Sequence, residues 1–213
     1  MHPTLHTLYG YWNEVRSGRV APQRLEIEPS HIAGILPETF MLERAGARTY
    51  NYRLAGTRLC ELFGSELRGR DFLDGWPEGD RRVLAGYLTT ISEQGAAALL
   101  TFDGLIDTRH RVELQASLLP LLHGGKIVRI IGAMGTTSAP HWLGSEPLLS
   151  RHLKRHQLLW PDGRPHALAL KAARGAPFQP AMAASSETLA VKSEAPRLRV
   201  VEGGRSPGKP DKR

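Results

Sequence analysis

The sequence predicts an α+β domain: a five-stranded antiparallel sheet with short helices on one face, an N-terminal amphipathic helix and a largely disordered C-terminal tail. Three observations carry this. Tyr50 to Trp76 runs from a strand through a short helix and a glycine into a connector. Ala97 to Thr136 contains three further strand-like segments separated by turns. Residues 1–137 hold 15 Lys and Arg against 15 Asp and Glu, so the whole net charge of +7 lies beyond them, together with nine of the 15 prolines. That shift in composition divides the chain into an N-terminal helix and linker (1–28), a neutral domain (29–137) and a basic, Pro-rich tail (138–213).

The elements follow in order. Thr4 to Ser17 reads as an amphipathic helix, because Leu5, Leu8, Trp12 and Val15 recur three or four apart and Gly18 follows its end. A helix this short needs a surface for that stripe. Its own domain or a partner's helix would serve, and the reading favours a dimer contact through Leu5, Leu8, Trp12 and Val15. After an extended linker, Pro29 suits the first position of a short helix, Ser30 to Leu36, with Ile32 and Leu36 inward. Thr39 to Arg44 and Arg48 to Ala55 form a hairpin through Ala45-Gly46-Ala47. In the second strand Tyr50, Tyr52 and Leu54 alternate with Asn51, Arg53 and Ala55, which places the first three on the core face.

Gly56 breaks that strand, and Thr57 begins a helix with Leu59, Leu62 and Phe63 on one side. Gly64 closes it, and Phe72 re-enters the core after a turn at Leu67 to Arg70. Pro77 starts a longer helix running to Gln94, with Leu84, Leu88 and Ile91 as its buried stripe and Gly95 at its end. Ala97 to Phe102 is a strand ending in an Asp103-Gly104 turn. Arg109 to Leu121 alternates through Val112, Leu114, Ala116 and Leu118. His123-Gly124-Gly125 turns the chain into a last strand, Lys126 to Thr136. In the tail, Leu148, Leu149, Leu153, Leu158, Leu159 and Trp160 interleave with Arg151, His152, Lys154, Arg155 and His156, and predict a basic amphipathic helix within 146–160. His166 to Ala173 is a shorter apolar piece, and from Gly175 the composition is that of disorder.

The stretch RLAGTRLCELFGSELRGRDF, with its strand, one-turn helix, Gly, connector and Phe before a longer helix, resembles stand-alone bacterial PAS-domain regulators. The resemblance covers about residues 10–137 and is most specific from Tyr50 to Phe72. It implies the PAS sensor fold with no attached output domain. It also implies a role as an input or adaptor module in histidine-kinase pathways, acting through a protein or small-molecule partner. The pocket of such a fold lies between the inner sheet face and the helices. Its candidate lining here is Tyr52, Leu54, Leu59, Leu62, Phe63, Phe72, Leu84, Leu88, Ile91, Leu114 and Leu118. Arg68 and Arg70 are candidate rim charges for an anionic ligand. The plainer reading gives them salt bridges to Glu66, Asp71 or Asp74.

No catalytic or metal site emerges from the residues. Cys60 lacks the Asn and Gln neighbours of flavin-adduct cysteines, and Arg81 to Gln94 offers no histidine to a haem, so neither cofactor is expected. His152 and His156 stand four apart without a third ligand nearby, which fits a solvated face better than a metal site. Ser117 and Ser138 lack a nucleophile motif, and Gly124-Gly125 precedes no phosphate-binding helix, so no enzyme is expected. One cysteine permits no intramolecular disulfide, and no signal peptide is visible, which together imply a cytoplasmic protein. The alternative function places nucleic acid or a membrane surface against the basic tail.

Overall fold

In the computed structural model, which describes residues 1–163, the chain opens with helix α1 (Pro3–Arg16). Pro3 sits where no backbone N–H is needed, the Thr4 amide donates to His2 Nδ1 at 3.3 Å, and Ser17 ends the helix in the left-handed conformation. Two 3-10 segments follow, Arg24–Glu26 and Pro29–Glu38. Strands β1 (Thr39–Arg44) and β2 (Tyr50–Ala55) form the expected hairpin, and α2 (Thr57–Leu62) and α3 (Glu78–Gln94) follow. Strands β3 (Ala97–Leu105), β4 (Arg111–His123), β5 (Lys126–Thr136) and β6 (Ser150–Leu159) complete the chain of elements. The sheet is antiparallel throughout, in the order β2-β1-β5-β4-β3-β6.

The sixth strand corrects the expected helix within 146–160 and extends the domain beyond residue 137. Its pairing with β3 slips by one residue at Thr101/Phe102, so Lys154 is an extra, bulged residue. Before the bulge Arg151 and Leu153 face the inner core; after it His156 and Leu158 do. The inserted residue spaces Leu153 and Leu158 five apart, which destroys the period-2 signal and leaves a pattern that mimics a helix. On the outer face Lys154 bonds Glu113 at 2.7 Å and pairs with Asp103 at 3.4 Å. Asp103-Gly104 is therefore not a turn: both residues lie inside β3. Gly104 is required by packing, because a Cβ there would stand 2.6 Å from Leu148 and 2.7 Å from Leu114.

Each sheet face carries its own core. The outer core joins Leu5, Leu8 and Trp12 of α1 to Met41, Leu119, Leu121, Ile131 and Ala133. Leu5, Leu8 and Trp12 are fully buried and Val15 packs partly against the same cluster. This corrects their assignment to a dimer contact: the stripe is covered by the chain's own sheet. The inner core packs α2, α3 and the 67–76 connector against the concave side. Tyr50 ties β2 to α3 by donating to the Leu88 carbonyl at 3.1 Å and bonding Ser92 Oγ at 2.8 Å.

The connector also joins the two sheet edges. It pairs with β2 through Tyr52 N–H to Arg70 O (2.9 Å), Gly69 N–H to Tyr52 O (2.7 Å) and Phe72 N–H to Tyr50 O (2.8 Å). It reaches β6 where Arg151 N–H donates to Gly75 O at 3.0 Å. Three backbone groups of β2 and one of β6 that edge strands would leave open are thereby satisfied. The segments expected at His166 to Ala173 and from Gly175 onward lie outside the described residues.

Candidate functional site

On the inner face the structure brings together most of the expected lining. Tyr52, Leu59, Phe72, Leu84, Leu88, Ile91, Leu114 and Leu118 are all essentially inaccessible and pack against one another, with Leu62 and Phe63 half-buried at their margin. Aromatic rings run through this core: Phe40 to Tyr52 at 5.7 Å, Tyr52 to Phe72 at 5.8 Å, Phe72 to Trp76 at 6.3 Å and Trp76 to Phe102 at 4.9 Å. These are contact distances for packed rings.

Leu54 is the exception and a correction. It is 52 % exposed because the β1–β2 register slips between Met41 and Leu42. The pairing jumps from Met41↔Leu54 to Leu42↔Tyr52, so Arg53 is bulged and Leu54 turns to the outer face.

Arg68 and Arg70 are exposed on the connector, and among the described residues neither is ion-paired, so the expected salt bridges to Glu66, Asp71 or Asp74 are not formed; Arg68 lines an open cleft with Glu43, Arg44 and Arg53. The cation that enters the inner face is Arg151 of β6. Its guanidinium stands 4.8 Å from the Phe63 ring centre and 5.2 Å from that of Trp76, with Nη2 donating to the Asp74 carbonyl. Nη1 and the Tyr52 hydroxyl are both buried, and among the described residues neither reaches a strict hydrogen-bond geometry with any other group. Burial pushes the Tyr52 phenol's pKa up, and the charge and hydrogen bond of the Arg151 side chain beside it oppose the rise. Nothing local in the sequence marks Arg151 as inward, because its partners lie some 75 to 100 residues earlier in the chain.

The outer face holds a cleft of about 200 Å³ between the 3-10 segments and strands β1, β2 and β5. Ile27, Ile32, Met41, Leu54 and Ile131 line it, with Leu36 at its lip. Leu36 was expected inward but is 38 % exposed, and nearby Leu25 is 85 % exposed. Arg24 Nε borders the cleft, buried and, among the described residues, without a hydrogen-bond partner. Sequence reading missed this site because it depends on the bulge at Arg53.

Helix α1 is latched beside the cleft. Glu38 accepts from Thr4 Oγ1 and from Arg58. Burial alone would raise the Glu38 carboxyl, but the two hydrogen bonds and the Arg58 charge outweigh it and hold its pKa below 4.5.

Among the described residues no helix is long and apolar enough to cross a membrane. No curated protein matches the chain. A family model described as PAS domain matches residues 1–135, which leaves β6 outside the matched stretch. The match spans more than half of the sequence and the strand and helix order agrees with it: the chain belongs to the PAS domain family.

Proposed function

We propose that this PAS domain is an adaptor that docks a signalling protein on its outer-face cleft, in a histidine-kinase pathway of the kind its sequence resemblance implies. PAS domains are in general sensory, non-enzymatic modules, and the family match supports a sensor or signalling module at that level. The cleft supports the adaptor reading in particular. Leu54 is turned out to solvent by a bulge, beside an apolar depression whose rim also exposes Leu36. Scattered exposed leucines need no explanation, but a contiguous set around a cleft does. The unpartnered Arg24 Nε gives the occupant a chemistry: an apolar side chain that fills the depression, with a carbonyl or carboxylate oxygen beside it to accept from Arg24.

The alternative of a membrane-surface helix at 148–160 loses its element, since those residues form β6. Nucleic-acid binding would rest on charge beyond residue 163, outside the described residues. The test titrates the protein into purified sensor histidine kinases and reads autophosphorylation. Wild type should change the rate, and Leu54→Asp should weaken the effect by about tenfold or more at an unchanged melting temperature. A variant as effective as wild type would overturn the cleft as the docking site.

A further inference from the structure

Strand β6 is the last strand of the sheet, and its outer edge is guarded along only part of its length. Before the bulge, Arg151 N–H donates to the Gly75 carbonyl and Leu153 N–H to Asp80 Oδ2 at 2.9 Å. Both amides therefore point away from β3. Backbone direction alternates along a strand, and the extra residue Lys154 shifts that alternation by one. The N–H and C=O of His156 and Leu158 are then the next to face the outer edge. Among the described residues no backbone group bonds that part of the edge. His156 and Gln157 are exposed there, and no proline between 155 and 159 blunts pairing. The strand also lies beyond residues 1–135, so this edge is not part of the matched family pattern.

We propose that β6 pairs with β6 of a second copy of this chain, antiparallel about a twofold axis through Gln157. In this register His156 of each copy faces Leu158 of the other, and each such pair exchanges both backbone hydrogen bonds. Gln157 meets its own counterpart at the axis, where the two side-chain amides bond each other. Arg155 falls opposite Leu159, so no like charges are set against each other. Lys154, the other nearby cation, is already paired with Glu113 and Asp103 of its own copy. Neighbouring registers fit worse. An axis through His156 sets two imidazoles together and brings the Lys154 bulge into the ladder. An axis through Leu158 carries His156 onto Trp160, past the strand's end at Leu159, and Arg155 onto Pro161. The interface uses neither the α1 stripe nor the outer-face cleft and does not depend on the adaptor reading.

The experiment uses the full chain. Sedimentation at concentrations up to about 1 mM should show a monomer–dimer equilibrium. His156→Pro removes an N–H that faces away from β3, so the pairing with β3 stays intact while dimerisation should weaken about tenfold or more. A second readout needs no proline. In a Cys60→Ser background, mild oxidation should cross-link Gln157→Cys efficiently, because directly opposed residues of a non-hydrogen-bonded pair stand about 4.5 Å apart at Cα. Arg155→Cys, whose counterpart lies well away from the axis, should cross-link far less. A wild type that stays monomeric at every concentration would overturn the proposal. So would a dimer unaffected by His156→Pro, or equal cross-linking of the two cysteine variants, which keeps the test decisive even if the proline variant fails to fold.

Discussion

The Trp12 indole N–H donates to the Pro120 carbonyl at 2.8 Å, a bond that joins α1 to the C-terminal half of β4 across 108 residues. Pro120 has no N–H, but its carbonyl is available to the helix above. The bond fixes α1 over the outer sheet face, with the indole fully buried. Trp12→Ala removes both the bond and the aromatic volume, and should cost about 3–5 kcal/mol of stability. Chemical denaturation gives the loss. Sedimentation at several concentrations should show the same association state for the variant and wild type, because the lost contacts lie within one chain.

Acid should loosen the same helix at its other end. Glu38 has a folded-state pKa below its ordinary 4.5, so its contribution is complete above pH 4.5 and is lost as pH falls through the folded value. The Thr4 and Arg58 hydrogen bonds weaken as the carboxylate is protonated. Melting temperature recorded from about pH 6 down to about pH 3 should fall, and Glu38→Gln should fall less steeply over that range. Glu26, Glu43 and Glu113 are lowered too, so the variant should retain part of the slope. A slope identical to wild type would remove Glu38 from the account.

Strand β6 depends on a glycine that lets Leu148 reach the core. In Gly104→Val the new side chain would collide with Leu148 and Leu114, and should cost about 1–3 kcal/mol. Hydrogen exchange is the more specific measure. Amides of β6 that pair with β3 should lose protection in the variant, while those of β4 and β5 keep theirs. Equal protection of β6 in both proteins would contradict the packing role of Gly104.

Elements that depend on local pattern were legible from sequence. Strand β5 matches its expected span, Lys126 to Thr136, because Gly124 and Gly125 supply positive φ to the turn, and the one slip against β4, which leaves Val128 bulged, lies near its start. Helix α3 was readable from Leu84, Leu88 and Ile91, with Gly95 in the left-handed conformation at its end. Two bulges hid the rest. The one at Arg53 moved Leu54 across the sheet, and the one at Lys154 turned an alternating strand into an apparent helix. The α1 stripe was visible, but its partner was not, since Pro120 and Leu121 lie far along the chain. A comparable separation lies between Arg151 and Tyr52, and the connector, bonded to both sheet edges, brings them together.

The adaptor reading stands or falls on which face a partner touches. Amide and methyl chemical shifts recorded while a responsive histidine kinase is titrated into the labelled full chain answer this directly. Perturbations are expected at Ile27, Ile32, Leu36, Met41, Leu54 and Ile131 around the outer cleft, with the inner-face signals of Leu84, Leu88 and Trp76 unmoved. Perturbations concentrated on α3 and the connector, with the cleft silent, would contradict it.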